Sequence, residues 1–272
     1  MRLSLGYSPC PNDCFIFYAL AHGKVAPELG WDVALEDVET LNKLARERAL
    51  EVSKVSYSAY GQVMDDYVML RPGGALGRGV GPLLVSKEPL GSLSGRRVAV
   101  PGGLTTANLL LQLWQEPPLE TYELRYDLIM PAVARGEADA GLIIHESRFT
   151  YPDYGLRQVL DLGEWWQEET GLPLPLGGIM AKRSLGPELL GRLGEAVRAS
   201  LHYAYAHRAE AQPYIAAHAQ ELDPKVMQRH IDLYVNPYSE DVGEDGERAV
   251  AELFRRARAR GLMPPASHRL FV

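Results

Sequence analysis

The sequence predicts an α/β protein with two lobes of mixed sheet, each flanked by helices, and a cleft between the lobes. Three observations lead there. Short aliphatic runs of strand length alternate with helical segments through the first two thirds of the chain, the pattern of βαβ units. One strand, near Leu83–Ser86, leads out of the first unit, and another, Leu174–Ala181, leads back. Everything after that return reads as helix. The first lobe is therefore discontinuous, residues 1–86 and 177–272, and the second, residues 87–176, is an insertion. Two crossing strands form a hinge, and the cleft between hinged lobes becomes the binding site.

The elements follow in order. Met1 to Tyr7 reads as the first strand. The prolines of Ser8-Pro9-Cys10-Pro11-Asn12-Asp13 exclude a helix interior, so Ser8 to Pro11 is a rigid loop, with Asn12 or Asp13 capping the apolar helix that follows. Trp31 to Leu35 is a strand, and Glu39 to Leu50 a helix burying Leu41, Leu44, Ala45 and Ala49. Val52 to Ser56 and Tyr67 to Leu70 are strands, and Arg71 to Gly81 is a glycine-rich loop. Its run Gly73-Gly74-Ala75-Leu76-Gly77 reads as a flexible connection, since an isolated glycine loop is a weak phosphate motif.

Ser92 to Gly103 starts afresh with a turn, a strand and a glycine loop. Thr105 or Thr106 then caps a helix with the apolar face Leu109, Leu110, Leu113 and Trp114. Tyr122 to Tyr126 reads as a strand, and Leu128 to Arg135 as a helix with Pro131 in its first turn. Gly141 to Ile144 has the length and branching of a strand buried on both faces. Arg157 to Leu162 is a strand, Gly163 to Thr170 a short helix, and the returning strand has its weak point at Gly177-Gly178. Helices are expected over Pro187–Arg208, Gln212–Gln220, Pro224–Tyr234 and Gly246–Arg260, with His202 and His207 as surface or packing residues.

Composition narrows the function classes. At 272 residues, 46% hydrophobic and 23% charged, the chain can bury a sizeable core. A net charge of −7 without a Lys/Arg block argues against a nucleic-acid or anionic-membrane partner. No apolar run approaches the ~20 residues of a membrane span, and Met1 to Tyr7 lacks the apolar core of a signal peptide. Cys10 and Cys14, the only cysteines, fit neither a disulfide nor a zinc site at this spacing. A cytoplasmic protein is expected.

The chemistry-bearing residues gather at strand ends. The Gly141–Ile144 run stops at His145, which can titrate near neutral pH. In open α/β sheets, ligands bind beyond the carboxyl ends of parallel strands. From the residues alone His145 is either a catalytic base or a hydrogen-bonding histidine at a strand end. When Ala45-Arg46 and Ala134-Arg135 are superposed, Ser56 falls opposite His145, one strand end per lobe. Asn12 and Asp13, Lys54, Val55 and Ser56, and Thr105, Thr106 and Ala107 are the other candidates pointing at the cleft. Two helix N-termini, several hydroxyls and a lysine suit a small molecule bearing carboxylate and hydroxyl groups. There is no G-x-S-x-G elbow, Walker loop, strand-borne G-x-G-x-x-G or H-E-x-x-H.

These residues carry a resemblance. Ser8-Pro9-Cys10-Pro11-Asn12-Asp13 followed by Phe15, with Lys54-Val55-Ser56, Thr105-Thr106-Ala107, the His145 stretch and Tyr234-Val235-Asn236, resembles the 1,4-dihydroxy-6-naphthoate synthases of the futalosine route to menaquinone. One departure is Cys14, where threonine is expected. The two-lobed organisation likewise resembles the type II periplasmic binding proteins. The resemblance implies a lyase acting on cyclic dehypoxanthinylfutalosine, with His145 as proton acceptor, Lys54 to Ser56 and Thr106 to Ala107 lining the substrate site, and neither cofactor nor metal. A solute-binding protein of a transporter is the alternative from another class, and it predicts a secretion signal or lipid anchor. Chorismate dehydratase of the same pathway is a third reading, against which the Ser8–Asp13 run and His145 speak.

Overall fold

The computed structural model describes residues 2–115, 119–220 and 223–272; Met1, read above as part of the first strand, lies outside them. The chain opens with β1 (Arg2–Tyr7), α1 (Pro11–Ala21), β2 (Gly30–Leu35), α2 (Val38–Arg46) and β3 (Val52–Ser56), a parallel unit with β1 between β2 and β3. A short helix α3 (Tyr57–Tyr60) leads to β4 (Tyr67–Met69) and β5 (Ala75–Gly77). Part of the stretch expected to be a flexible glycine loop is thus a strand. Its backbone pairs with the returning strand, which satisfies groups that would otherwise be buried unpaired.

The second sheet is built from β6 (Leu83–Ser86), β7 (Arg97–Val100), β8 (Glu120–Glu123), β9 (Ala140–Ile143) and β10 (Arg157–Asp161), in the order β10-β6-β9-β7-β8. Its helices are α4 (Thr106–Trp114), α5 (Tyr126–Ala134), α6 (Ser147–Thr150) and α7 (Leu162–Thr170). Residues 83–86, expected at the end of the first lobe, are a correction. They lie between β9 and β10, antiparallel to both, because all four are buried and need a partner on each side. A further correction concerns Pro131, which sits well inside α5 and not in its first turn, since the helix begins at Tyr126.

The chain returns through β11 (Leu174–Lys182), antiparallel to β3, β4 and β5, so the first sheet runs β2-β1-β3-β11-β4 with β5 also on β11. The weak point expected at Gly177-Gly178 is not there, since both pair in register with β3; the one irregularity of β11 lies between Pro175 and Gly177, in its pairing with β5. Helices α8 (Pro187–Ala206), α9 (Arg208–His218), α10 (Pro224–Tyr234), α11 (Pro237–Glu240) and α12 (Gly243–Ala259) finish the chain. Helices α8, α9 and α10 pack on α1, whose first ten residues are all buried. Among the described residues no helix is long and apolar enough to cross a membrane.

One core lies between β1, α1 and α8, with Leu5, Phe17, Leu193 and Leu201 at its heart. A small core fills the α5 face of the second sheet through Val85, Ile129 and Ile143. The third runs without a break from Tyr57, Tyr67 and Met69 of the first sheet's side to Leu110, Leu142 and Trp166 of the second. The lobes therefore share apolar packing on the hinge side, and only the opposite side opens as a cleft.

Candidate functional site

Four parallel strands end at that cleft, and each delivers one group of the expected site residues. Beyond β1 come Asn12 and Asp13; at the end of β3 are Lys54, Val55 and Ser56; beyond β7 are Thr105, Thr106 and Ala107; beyond β9 is His145. All nine line a single cleft of about 710 Å³ of atom-free space, counting its mouth. Two pairs of parallel strands whose carboxyl ends face each other explain why residues so far apart in the chain meet.

The first group departs from expectation in one respect. Neither Asn12 nor Asp13 caps α1, which starts at Pro11 with Cys10 at the cap position. Proline suits the first helical position because no acceptor is needed for a missing N–H. Released from capping, Asp13 accepts from the Ser8 hydroxyl at 2.8 Å, from Asn12 Nδ2 at 3.0 Å and from Lys54 Nζ at 2.8 Å. Both members of the Lys54–Asp13 ion pair are buried. A buried charge needs such a partner, and this one fixes the Lys54 ammonium at the cleft floor.

Ser56 is held by Asn42, whose Oδ1 accepts from the Ser56 N–H at 3.0 Å and whose Nδ2 donates to the Ser56 hydroxyl at 3.1 Å. Val55 lies against β11 at Gly177, where a Cβ would stand 2.6 Å from the Val55 carbonyl oxygen, so only glycine allows this approach.

Thr105 is the cap of α4: its Oγ1 accepts from Asn108 N–H at 3.2 Å and donates to Gly102 O at 2.8 Å. Thr106 Oγ1 donates to Leu176 O at 2.7 Å and accepts from Ser58 N–H at 3.2 Å. Both hydroxyls, expected to serve a ligand, are thus taken by the protein, Thr106 tying α4 to the hinge. What α4 offers the cleft is its positive end, the first-turn N–H groups of Thr106 and Ala107 that no helical carbonyl can reach.

His145 stands beyond β9 with φ of +57°, a left-handed conformation uncommon outside glycine. Its Nε2 is buried and has no hydrogen-bond partner among the described residues. The Tyr126 ring meets it edge-on at 5.0 Å. Burial lowers the imidazole pKa from 6.5 to about 4, with Lys54 adding to the shift and Asp13 opposing it. The ring is therefore neutral near pH 7, so one of its two nitrogens carries a lone pair. Burial also raises the Cys10 thiol well above its usual range, which removes it as a nucleophile.

Sequence reasoning missed His230 and Tyr234 on α10, which complete the cleft wall. His230 is fully buried, its Nε2 2.9 Å from Asn12 Oδ1 and its ring 6.0 Å from that of His145. The available signal was a histidine within the stripe Met227, His230, Ile231 and Tyr234, a spacing that marks one buried helix face.

At the mouth, Glu39 of α2 accepts from Leu104 N–H at 3.2 Å, and Lys43 reaches Glu123 of the second lobe at 3.2 Å. The Glu39 carboxyl is pressed so close to Gly102 that a Cβ there would lie 2.3 Å from it. Burial raises its pKa to about 7, with Glu123 adding to the shift, against hydrogen bonds from Asn42 and Leu104.

The chain is similar to known proteins over nearly its whole length. A family described as menaquinone biosynthesis matches residues 3–259. A 1,4-dihydroxy-6-naphthoate synthase of Thermus thermophilus is 60% identical over 99% of both chains. One from Streptomyces coelicolor is 49% identical over 96% of this chain and 95% of its own. A crystal structure of an Archaeoglobus fulgidus protein superposes with a TM-score of 0.92 at 41% identity, covering 96% of this chain and 98% of that one. The alkanesulfonate-binding protein of Xanthomonas axonopodis pv. citri, at 17% identity and a TM-score of 0.73 over 97% and 94% of the two chains, shares the fold alone.

Proposed function

This chain belongs to the menaquinone-biosynthesis family, among its 1,4-dihydroxy-6-naphthoate synthases, and from that premise we propose that it converts cyclic dehypoxanthinylfutalosine with His145 as general base. The observation that carries the role of His145 is its buried Nε2, neutral and without a partner, at the end of a strand that faces the cleft. Releasing the sugar-derived fragment and aromatising the second ring require protons to be taken from carbons next to carbonyl groups. A neutral imidazole accepts such a proton.

The remaining groups divide the work of binding. The first-turn N–H groups of Thr106 and Ala107 take an anionic oxygen of the substrate, aided by the dipole of α4. Lys54 and Ser56 present a fixed ammonium and a fixed hydroxyl from the opposite lobe. Val55, Leu41 and Ile144 give the ring system an apolar wall. Closure of the lobes over the substrate excludes water, so the proton passes to His145 and not to solvent.

The test is turnover of cyclic dehypoxanthinylfutalosine by the wild type and by His145→Ala. The wild type should form the naphthoate, and the variant should bind the substrate while converting it roughly 10²–10⁴-fold more slowly. Near-normal turnover by the variant would move the base elsewhere. A wild type that binds without converting would return the solute-binding reading.

A further inference from the structure

We infer that Arg148 is a positioning residue of this reaction: from the helical turn after His145 it reaches back to the Gly81 carbonyl and the Asp161 carboxylate, and so fixes the segment that carries His145. The inference rests on the reading of His145 as the base.

That segment cannot hold itself. His145 takes a left-handed backbone conformation, which a residue with a Cβ keeps only where its surroundings enforce it. The helix that follows, α6, is a single turn of four residues without a side-chain cap. A lone turn fixes several dihedral angles for one hydrogen bond, so it contributes little stability of its own.

Arg148 supplies the enforcement. Its Nη1 donates to Gly81 O at 2.6 Å and its Nη2 to Asp161 Oδ2 at 3.1 Å. The side chains of this ion pair are only 14% and 6% exposed, and a charge-assisted bond keeps its strength where water is scarce. The planar fork of a guanidinium serves a carbonyl and a carboxylate at once, which an ammonium on a flexible stem does not match.

Both attachment points are themselves fixed. Asp161 Oδ1 accepts from the N–H groups of Gly163 and Glu164 at 2.8 and 3.2 Å, so the carboxylate is locked in place as the cap of α7. Gly81 has φ of +154°, and a Cβ on it would stand 2.7 Å from Gly163 N. The next carbonyl, Pro82 O, accepts from Leu162 N–H at 3.1 Å. Gly81 and Pro82 are thus pressed backbone to backbone on the start of α7, and both line the cleft. Arg148 therefore ties the His145 segment to the cleft wall. From the first lobe, Arg229 adds to this by lying 4.4 Å over the Phe149 ring of the same segment. Arg148 does not itself line the cleft, so its influence on the reaction passes through His145.

Two measurements on the full chain test this. In kinetics, Arg148→Met should lower kcat about 10²-fold with KM little changed, the size of loss that follows small misplacement of a reacting group. Arg148→Lys keeps the charge without the fork, and its kcat should fall between the two. The second measurement is the titration of His145, followed by NMR of protein labelled with ¹⁵N-histidine. The groups facing His145 are Asp13 of α1, Lys54 of β3, Asp37 before α2, Tyr126 of α5, Glu146 beside it and His230 of α10, and both variants leave them in place. A loosened segment admits water, so the His145 pKa should rise from about 4 towards 6.5 in Arg148→Met, and by less in Arg148→Lys. Because Arg148→Lys retains the cation, a rise there reports hydration and not a lost charge. Wild-type kcat in Arg148→Met, or a lower kcat with an unmoved His145 titration, would overturn the inference. If Arg148→Met does not fold, Arg148→Lys decides alone. His145→Ala measured alongside separates the two readings. A fast His145→Ala displaces the base itself, whereas a slow one beside a fast Arg148→Met removes only the role of Arg148.

Discussion

His145 illustrates how position sets the proton affinity of one side chain. An exposed imidazole titrates near 6.5, whereas this one is lowered to about 4 because burial penalises the cation more than Asp13 can compensate. Two consequences follow with the same sign. The unfolded chain binds the proton between these values and the folded one does not, so the stability due to this ring is full above about pH 6.5 and is lost as pH falls towards 4. The acid limb of kcat/KM should likewise lie near pH 4, and a limb near 6.5 in a pH-rate profile would place His145 in an open, hydrated environment. The Lys54–Asp13 pair is the counterpart at this scale. Its value is the fixed position of an ammonium at the cleft floor, since buried ion pairs offset much of their own desolvation.

Among the elements, α4 has a divided task. Its apolar side, including Leu109, Leu110 and Leu113, anchors in the core that runs through both lobes, and its N-terminus faces the cleft. The Thr105 cap satisfies the Asn108 N–H and leaves the N–H groups of Thr106 and Ala107 for a ligand. Thr105→Ala should cost about 1 kcal/mol in denaturant unfolding and raise KM, because the first turn then frays where it meets the substrate. An unchanged KM would show that the α4 N-terminus does not hold the substrate. Strand β11 has a comparable double role: it closes the first sheet and, at Gly177, lets the Val55 carbonyl approach at the rim of the site.

At the scale of the molecule, the question is what holds the lobes together when no ligand is bound. Glu39, Lys43, Glu123 and the Gly102–Leu104 turn meet across the mouth. Opening would hydrate Glu39 and return its carboxyl to an ordinary value, so the closed form is the one that takes up a proton. Closure is therefore helped below the ordinary carboxyl range and loses that help as pH rises through about 7. Small-angle scattering of the unliganded protein should show expansion as pH rises from 4.5 to about 7, and Glu39→Gln should abolish the trend. A wild-type radius that does not change with pH would mean that the mouth contact does not bias closure.

The local sequence determined a large part of this protein. Alternating apolar runs and caps located most strands and most helices, Pro224–Tyr234 to the residue, but not β5. The Ser8–Asp13, Lys54–Ser56, Thr105–Ala107 and His145 groups could be read as cleft residues because each ends or follows a strand that periodicity reveals. Tertiary structure decided the rest. Which sheet would pair with Leu83–Ser86 depended on partners far along the chain, because a fully buried strand reads the same in either sheet. The hydroxyls of Thr105 and Thr106 could not be known to be occupied until Gly102, Ser58 and Leu176 were in place around them. His230 was hidden for the same reason. Its helix has an ordinary amphipathic stripe, and only the approach of Asn12 and Glu146, 218 and 84 residues away in the chain, turns a buried histidine into part of the site.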